Sequence, residues 1–108
     1  MAKSSPTART LAHIRGSGGV AEVVERWIPI PGRNIRKDLF GFADVFAVSE
    51  DGECSLIQVT SGSNVAARVS KARLAIDATP QLKRSGLKLK VHGWSKLKAG
   101  WTLREVDL

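Results

Sequence analysis

The chain has 108 residues and carries 17 lysines and arginines against 10 acidic residues, which gives a formal net charge of +7. This length suits one domain with a single hydrophobic core. No apolar run approaches the length of a membrane-spanning helix, and the N-terminus lacks the apolar segment of a signal peptide. The single cysteine, Cys54, excludes an intrachain disulfide or a cysteine-rich zinc site and suits a reducing cytoplasm. The basic charge favours a polyanionic partner, most often nucleic acid.

The N-terminal part of the chain predicts a tail followed by a helix. Residues 1–6 are expected to be flexible, and residues 7–108 to form a single domain. Residues 7–17 carry apolar side chains at helical spacing, Thr7 can cap the helix, and a cluster of glycines ends it. A first helix is therefore expected at the start of the domain.

Two prolines divide the next segment. Residues 20–28 are rich in β-branched side chains and predict a strand that stops at Pro29 and Pro31. The alternative is that the first part of this segment extends a helix. Residues 29–37 are expected to form a polar turn that carries several basic side chains.

Polar residues interrupt the two strands that follow. These strands are predicted at about residues 38–48 and 54–61, joined by a tight turn. Asp44 lies between two apolar residues of the first, and Gln58 lies within the second. Burying an unpaired carboxylate costs several kcal/mol or shifts its pKa, so such residues usually mark a functional site.

The register of this hairpin depends on the length of its loop. A two-residue loop sets Asp44 opposite Val59 and turns Asp44 and Gln58 to opposite faces. The three-residue loop 50–52, closed by a left-handed glycine, sets Asp44 opposite Gln58 with the Cβ atoms roughly 5 Å apart. We expect the second register, in which Thr60 shares the same face.

The rest of the chain predicts a helix and two strands. Ser63 can cap a helix that ends near Pro80, with a further turn possible over residues 81–85. Residues 87–91 alternate as a half-exposed strand, and residues 100–108 form a last strand or an extended tail. The helix carries an apolar stripe made of Val65, Val69, Ala72 and Ile76.

The predicted order of elements is α-β-β-β-α-β, with an extra strand at the end. The helical link between the third and fourth strands favours their parallel pairing through a right-handed crossover. The predicted fold class is therefore α/β, with a mixed central sheet flanked by helices.

The run from Gly41 to Asp44, the hairpin, and Gln58-Val59-Thr60 resemble the signature of the PD-(D/E)xK nuclease superfamily. In that superfamily an Asp on one strand precedes an acid-x-Lys on the next, and some members of the VRR-NUC group carry Gln in the acid position. The wider sequence also looks like small phage and prophage proteins assigned to this fold. The resemblance implies a restriction-endonuclease-like core, a host cytoplasm, and a DNA substrate cut by a homodimer, as by Holliday-junction resolvases.

The resemblance also implies a Mg²⁺ or Mn²⁺ site at Asp44 and Gln58. The family chemistry uses this metal to activate a water and to stabilise the charge on the scissile phosphate. Asp44, Gln58 and Thr60 then occupy the catalytic positions. The chain departs from the family pattern, because Gln58 replaces the second acid and Thr60 replaces the lysine.

Another residue can supply the missing carboxylate. Asp38 and Glu25 are the expected metal ligands, with Glu22 as the alternative to Glu25. A regular strand would hold Asp38 roughly 20 Å from Asp44. Only a bulge or bend near Gly41 would bring the two carboxylates closer.

Basic side chains elsewhere can replace the motif lysine and bind the substrate backbone. Lys71 or Lys37 is expected to take the role of the motif lysine. A metal-dependent DNA endonuclease is the first interpretation, and a catalytically silent nucleic-acid-binding module of the same fold is the alternative. A structural or assembly protein is a third, weaker option. The expected nucleic-acid-binding residues are Arg33, Arg36, Lys37, Asn64, Arg68 and Lys71.

Overall fold

The computed structural model describes residues 5–108, which form the predicted mixed α/β fold around a five-stranded sheet. The helices span Pro6–Gly16 (α1), Val65–Asp77 (α2) and Pro80–Arg84 (α3). The strands span Val20–Val23 (β1), Arg26–Ile30 (β2), Arg33–Lys37 (β3), Val45–Val48 (β4), Cys54–Ser61 (β5), Lys88–Leu97 (β6) and Gly100–Asp107 (β7). Over these described residues, no helix is long and apolar enough to cross a membrane.

The main sheet has the strand order β1-β4-β5-β6-β7, and β2 pairs with β3 in a separate two-stranded sheet. β5 and β6 are parallel, whereas the other neighbouring strands of the main sheet are antiparallel. The α2–α3 segment connects β5 to β6. The predicted parallel pairing through a helical connection is therefore confirmed.

The β4–β5 hairpin has the predicted register. Val45 lies opposite Ile57, and the loop before β5 contains Gly52 with a positive φ of 90°. This is the three-residue loop with a left-handed glycine that the sequence favours. The pairing ends at Val45 and Ile57, one position before the predicted Asp44–Gln58 pair, and the Asp44 N–H instead donates a 2.9 Å hydrogen bond to the Ile57 carbonyl.

Apolar side chains cover both faces of the sheet. The predicted stripe of α2 packs onto one face, where Phe42, Leu56, Leu89 and Val91 are buried. On the other face, Leu11 and Ile14 of α1 pack against Ala21, Val45, Ala47 and Ile57. Gly93 allows the close approach of α2, because a Cβ atom there would lie 2.1 Å from Val65 Cγ2. Helices therefore lie on the two opposite faces of the main sheet.

A buried hydrogen-bond network fixes α1 to β6. Thr10 Oγ1 lies 3.2 Å from His92 Nδ1 and accepts a 2.9 Å hydrogen bond from Trp94 Nε1. His92 Nε2 lies 2.8 Å from Glu105 Oε2 on β7. Burial lowers the pKa of His92 even though the hydrogen bond to Glu105 opposes the shift. His92 and Trp94 are thus parts of the core.

The predicted N-terminal boundary is wrong by two residues. Ser5 caps α1, and its side chain accepts a 3.1 Å hydrogen bond from the Ala8 N–H. Pro6 occupies the first turn, where its missing N–H costs nothing. Thr7 is therefore inside the helix, and of the expected flexible tail only residues 1–4 remain, which lie outside the described residues.

The predicted strand 20–28 and the predicted turn 29–37 are replaced by β1 and the β2–β3 hairpin. Gly32 has a φ of 84° and makes the turn between β2 and β3. Pro29 is tolerated because a two-stranded sheet leaves one edge of each strand without backbone partners. Pro29 thus lies within β2, whereas Pro31 begins the turn at which β2 ends.

Three other boundaries also differ. The predicted strand 38–48 is a strand only from Val45, because the preceding residues reverse direction. Residues 62–64 form a 3-10 turn, so Asn64 rather than Ser63 precedes α2. The predicted strand 87–91 continues to Leu97 as β6, and the last segment is a strand, β7.

Candidate functional site

Asp44 lies at the start of β4 and is 3% exposed. Its Oδ2 accepts a 2.8 Å hydrogen bond from the Val59 N–H of β5. Its other oxygen, Oδ1, is buried and has no hydrogen-bond partner. Gln58, which is 1% exposed, lies on β5 between Ile57 and Val59, the two residues whose backbone Asp44 contacts, and its Oε1 also lacks a partner. Two unpaired oxygens therefore come from neighbouring strands.

A tight reversal brings Asp38 back to Asp44. Phe40 and Gly41 have φ angles of 54° and 82°, which is the left-handed region that tight hairpin turns require. Leu39 and Ala43 form a β-bridge across this reversal, so Asp38 lies opposite Asp44. The bend near Gly41 on which the proximity of Asp38 depends is present, and the 20 Å separation expected for a regular strand is wrong.

Glu25 arrives from the neighbouring edge of the sheet. The Val24 N–H donates a 2.8 Å hydrogen bond to the Asp44 carbonyl, which fixes the chain just before Glu25. One carboxylate oxygen from each of Glu25, Asp38 and Asp44 lies within 4.8 Å of the others. Glu22 is exposed on β1 and does not belong to this group, which decides between the two glutamates.

Burial and mutual repulsion govern the charge of this cluster. Burial, with smaller contributions from the neighbouring Asp38 and Glu25 carboxylates, raises the pKa of Asp44 to about 7, although the hydrogen bond from the Val59 N–H lowers it. Two unit charges at such a separation repel by roughly 3 kcal/mol at an effective dielectric constant near 20. The cluster is therefore an environment that favours a bound cation.

Each of the three clustered carboxylates has a buried oxygen without a hydrogen-bond partner, namely Glu25 Oε2, Asp38 Oδ1 and Asp44 Oδ1, and Gln58 Oε1 on β5 also lacks a partner. Leaving a buried polar atom unsatisfied costs about 1–3 kcal/mol, and native folds rarely tolerate it without a reason. Carboxylate and amide oxygens are the ligands that Mg²⁺ and Mn²⁺ prefer. The donor set therefore fits a divalent cation.

Arg36 is the cation that contacts the cluster. Its Nε lies 3.3 Å from Glu25 Oε2 and 4.0 Å from Asp38 Oδ1, as an ion pair outside hydrogen-bond geometry. The ion pairs found among residues 5–108 include neither Lys37 nor Lys71, the two expected replacements for the motif lysine. The sequence offers Arg36 both as a nucleic-acid contact and, with Lys37 as the alternative, as an ion-pair partner of Asp38; the structure has the Arg36–Asp38 pair and adds the contact with Glu25.

The other predicted residues lie on β5, on β3, and at the start of or along α2. Thr60 is buried on β5, on the same face as Gln58. Asn64, Arg68 and Lys71 follow one another at helical spacing from the start of α2. α2 also approaches the reversal, because a Cβ atom at Gly41 would lie 3.6 Å from the Ala75 Cβ, one turn after Lys71. Arg33 and Lys37 lie exposed on β3.

A surface cavity of about 310 Å³ opens beside the cluster. Asp38 lines this cavity together with Val24, Arg26, Lys37, Leu39 and Phe40. A larger cavity of about 740 Å³ lies between α2, α3 and β6, and none of the three clustered carboxylates lines it. Because the convergent unpaired oxygens decide the chemistry, we place the functional site at the smaller cavity.

Comparisons with protein-family models, with curated proteins and with solved structures gave no match.

Proposed function

We propose that the chain is a divalent-metal-dependent DNA endonuclease with a PD-(D/E)xK-like core. The observation that carries this proposal is the convergence of the Glu25, Asp38 and Asp44 carboxylates, each with a buried oxygen that lacks a hydrogen-bond partner. Such a donor set suits a hard divalent cation. A net charge of +7 suits a phosphodiester substrate.

The residues then have separate roles. Asp44, Asp38 and Glu25 hold the Mg²⁺ or Mn²⁺, and Gln58 offers a neutral carbonyl oxygen. A metal held there would supply the activation of a water and would offset the charge on the phosphate. Arg36, released from its carboxylates when a metal binds, donates to the phosphate and takes the role that a lysine has in the family. The buried side chain of Thr60 keeps β5 closely packed beside Gln58.

The fold supports the same proposal. When the β2–β3 hairpin is set apart, the elements follow the order α-β-β-β-α-β with one further strand, which the resemblance implies. The exposed basic face of α2, together with the basic β3 strand, provides the backbone contacts. We propose that the protein acts on DNA in the cytoplasm, as a homodimer when both strands of a junction are cut. Its affinity for DNA then falls steeply with salt.

Cleavage assays test this function. Labelled linear, nicked, flapped and four-way-junction DNA is incubated with the protein and Mg²⁺, Mn²⁺ or EDTA. We expect cleavage with metal, background with EDTA, and background for Asp44→Asn. Glu22→Gln is the matched control, because Glu22 is a nearby carboxylate outside the cluster, and it is expected to cut like the wild type. Metal-dependent cutting that persists in Asp44→Asn would exclude this site.

The replacement of the motif acid and lysine by Gln58 and Thr60 favours a second function, a DNA-binding module without catalysis. In that case the carboxylate cluster stabilises the fold, or it binds a metal that orders the chain reversal around Phe40. Wild type and Asp44→Asn would bind DNA equally, and neither would cut any substrate. The same panel of substrates therefore separates the two functions.

A further inference from the structure

The β2–β3 hairpin is basic and carries an exposed tryptophan. Residues 26–37 contain Arg26, Arg33, Arg36 and Lys37 but no acidic residue. Trp27 is 63% exposed, although tryptophan usually buries its large apolar ring. The hairpin forms a sheet of its own, so no strand of the main sheet covers it. An exposed aromatic ring among cations is typical of surfaces that bind single-stranded nucleic acid.

The register of the hairpin places this ring beside the carboxylate cluster. Trp27 lies directly opposite Arg36, so their side chains share one face with Cβ atoms roughly 5 Å apart. Arg36 in turn contacts Glu25 and Asp38. The chain enters the hairpin immediately after Glu25 and leaves it immediately before Asp38. The indole is thus one cross-strand neighbour away from the metal ligands.

We propose that Trp27 stacks on an unpaired base next to the phosphate that would bind at the metal of the carboxylate cluster. The substrate class is therefore DNA with unpaired nucleotides at the cut, namely a single strand, a flap or a branch point. The position of that phosphate rests on the proposed function. The stacking itself does not, because the exposed ring and the cations outside the Arg36 ion pairs, namely Arg26, Arg33 and Lys37, can contact a strand with or without a metal.

The charge of the hairpin decides between a nucleic acid and a second copy of this chain. Two hairpins that face each other would bring together six cations, Arg26, Arg33 and Lys37 of each copy, and residues 26–37 supply no acidic partner, so like charges oppose such an interface. A polyanion neutralises the same cations. A regular duplex fits less well, because its base faces are already stacked, and only an unpaired base offers a free face to an indole.

Binding in EDTA tests the inference separately from cleavage. Fluorescence anisotropy measures the affinity for a labelled single strand of about 20 nucleotides, and for the same strand in a duplex. We expect Trp27→Ala to weaken single-strand binding by about 5-fold to 100-fold and to change duplex binding by less than about 2-fold. Trp27→Phe, which keeps an aromatic face, is expected to recover most of the loss.

Trp101→Ala is the matched control. Trp101 is also exposed, but it lies on β7, the edge strand of the main sheet farthest from β1, and Arg9 stacks on its ring. It is expected to leave both affinities unchanged. Circular dichroism confirms that each variant is folded.

Three outcomes would overturn the inference: single-strand binding that is unaffected by Trp27→Ala, equal losses for single strand and duplex, or no binding of either by the wild type. Sedimentation identifies the other occupant, since a dimer that only Trp27→Ala dissociates would assign this surface to self-association. Stacking in EDTA without any cleavage in Mg²⁺ would leave the inference intact and remove the endonuclease. Cleavage in Mg²⁺ without Trp27-dependent binding in EDTA would overturn the inference and leave the endonuclease in place.

Discussion

Replacing Asp44 with Asn is expected to stabilise the metal-free protein at pH 8 by about 2–4 kcal/mol, which corresponds to a rise in Tm of at least about 8 °C. The reason is that ionised Asp44 is held in a buried cluster with Asp38 and Glu25, which raises its pKa to about 7. The amide has no charge, keeps an oxygen for the Val59 N–H, and adds N–H donors for the unpaired oxygens nearby.

The pH dependence of this effect follows from proton linkage. The folded-state pKa of Asp44 is about 7 and its ordinary value is 3.8, so the folded chain binds the proton more tightly. Its contribution to stability is present below pH 3.8 and is lost as the pH rises to about 7. Asp44→Asn should therefore match the wild type near pH 3.5 and exceed it at pH 8.

Thermal unfolding in EDTA across this pH range measures the difference. Glu22→Gln is the control, and it should stay within about 0.5 kcal/mol of the wild type at every pH. If Asp44→Asn were less stable than the wild type at pH 8, the Asp44 charge would stabilise the metal-free fold rather than destabilise it.

Restoring the two departures from the family motif is expected to increase cleavage. Under the proposed function, Gln58→Glu adds a fourth carboxylate to the proposed metal ligands, and Thr60→Lys adds the ammonium group that the family pattern has two residues later. We expect the double variant to cut at least about tenfold faster than the wild type, which is about 1.4 kcal/mol of extra transition-state stabilisation.

Single variants separate the two contributions. Gln58→Glu alone should tighten metal binding by about tenfold or more, whereas Thr60→Val, which keeps the shape of Thr60, should change neither metal binding nor cleavage. A double variant that folds and binds metal no more tightly than the wild type would show that residue 58 does not face the metal. Tighter binding without faster cleavage would point to the silent binding module.

The predictable part of the site comes from local rules. The loop before β5 has a Gly where a left-handed residue is required, and counting from it gives the register that sets Val45 opposite Ile57. The apolar stripe of α2 follows from helical spacing, and the parallel pairing of β5 and β6 follows from the intervening helix. These features depend on residues close in sequence or on chain connectivity.

The rest of the site depends on backbone conformations that the residue types do not predict. Phe40 has a φ of 54°, a region that bulky residues seldom adopt, and without it Asp38 would not return to Asp44. Pro29 and Pro31 were interpreted as strand breakers, which hid the β2–β3 hairpin and the position of Arg36 on it. The Pro31-Gly32 pair was the available signal, because such a pair between two apolar runs also predicts a hairpin turn.

Titration with Mn²⁺, followed by electron paramagnetic resonance, tests the metal site most directly. The wild type is expected to bind one ion at pH 8, and Asp44→Asn to weaken that binding by at least about 100-fold, since even the loss of an outer contact costs 10–100-fold. Glu22→Gln should bind like the wild type. Equal binding by Asp44→Asn and the wild type, or none by either, would contradict a metal centre built from Glu25, Asp38 and Asp44.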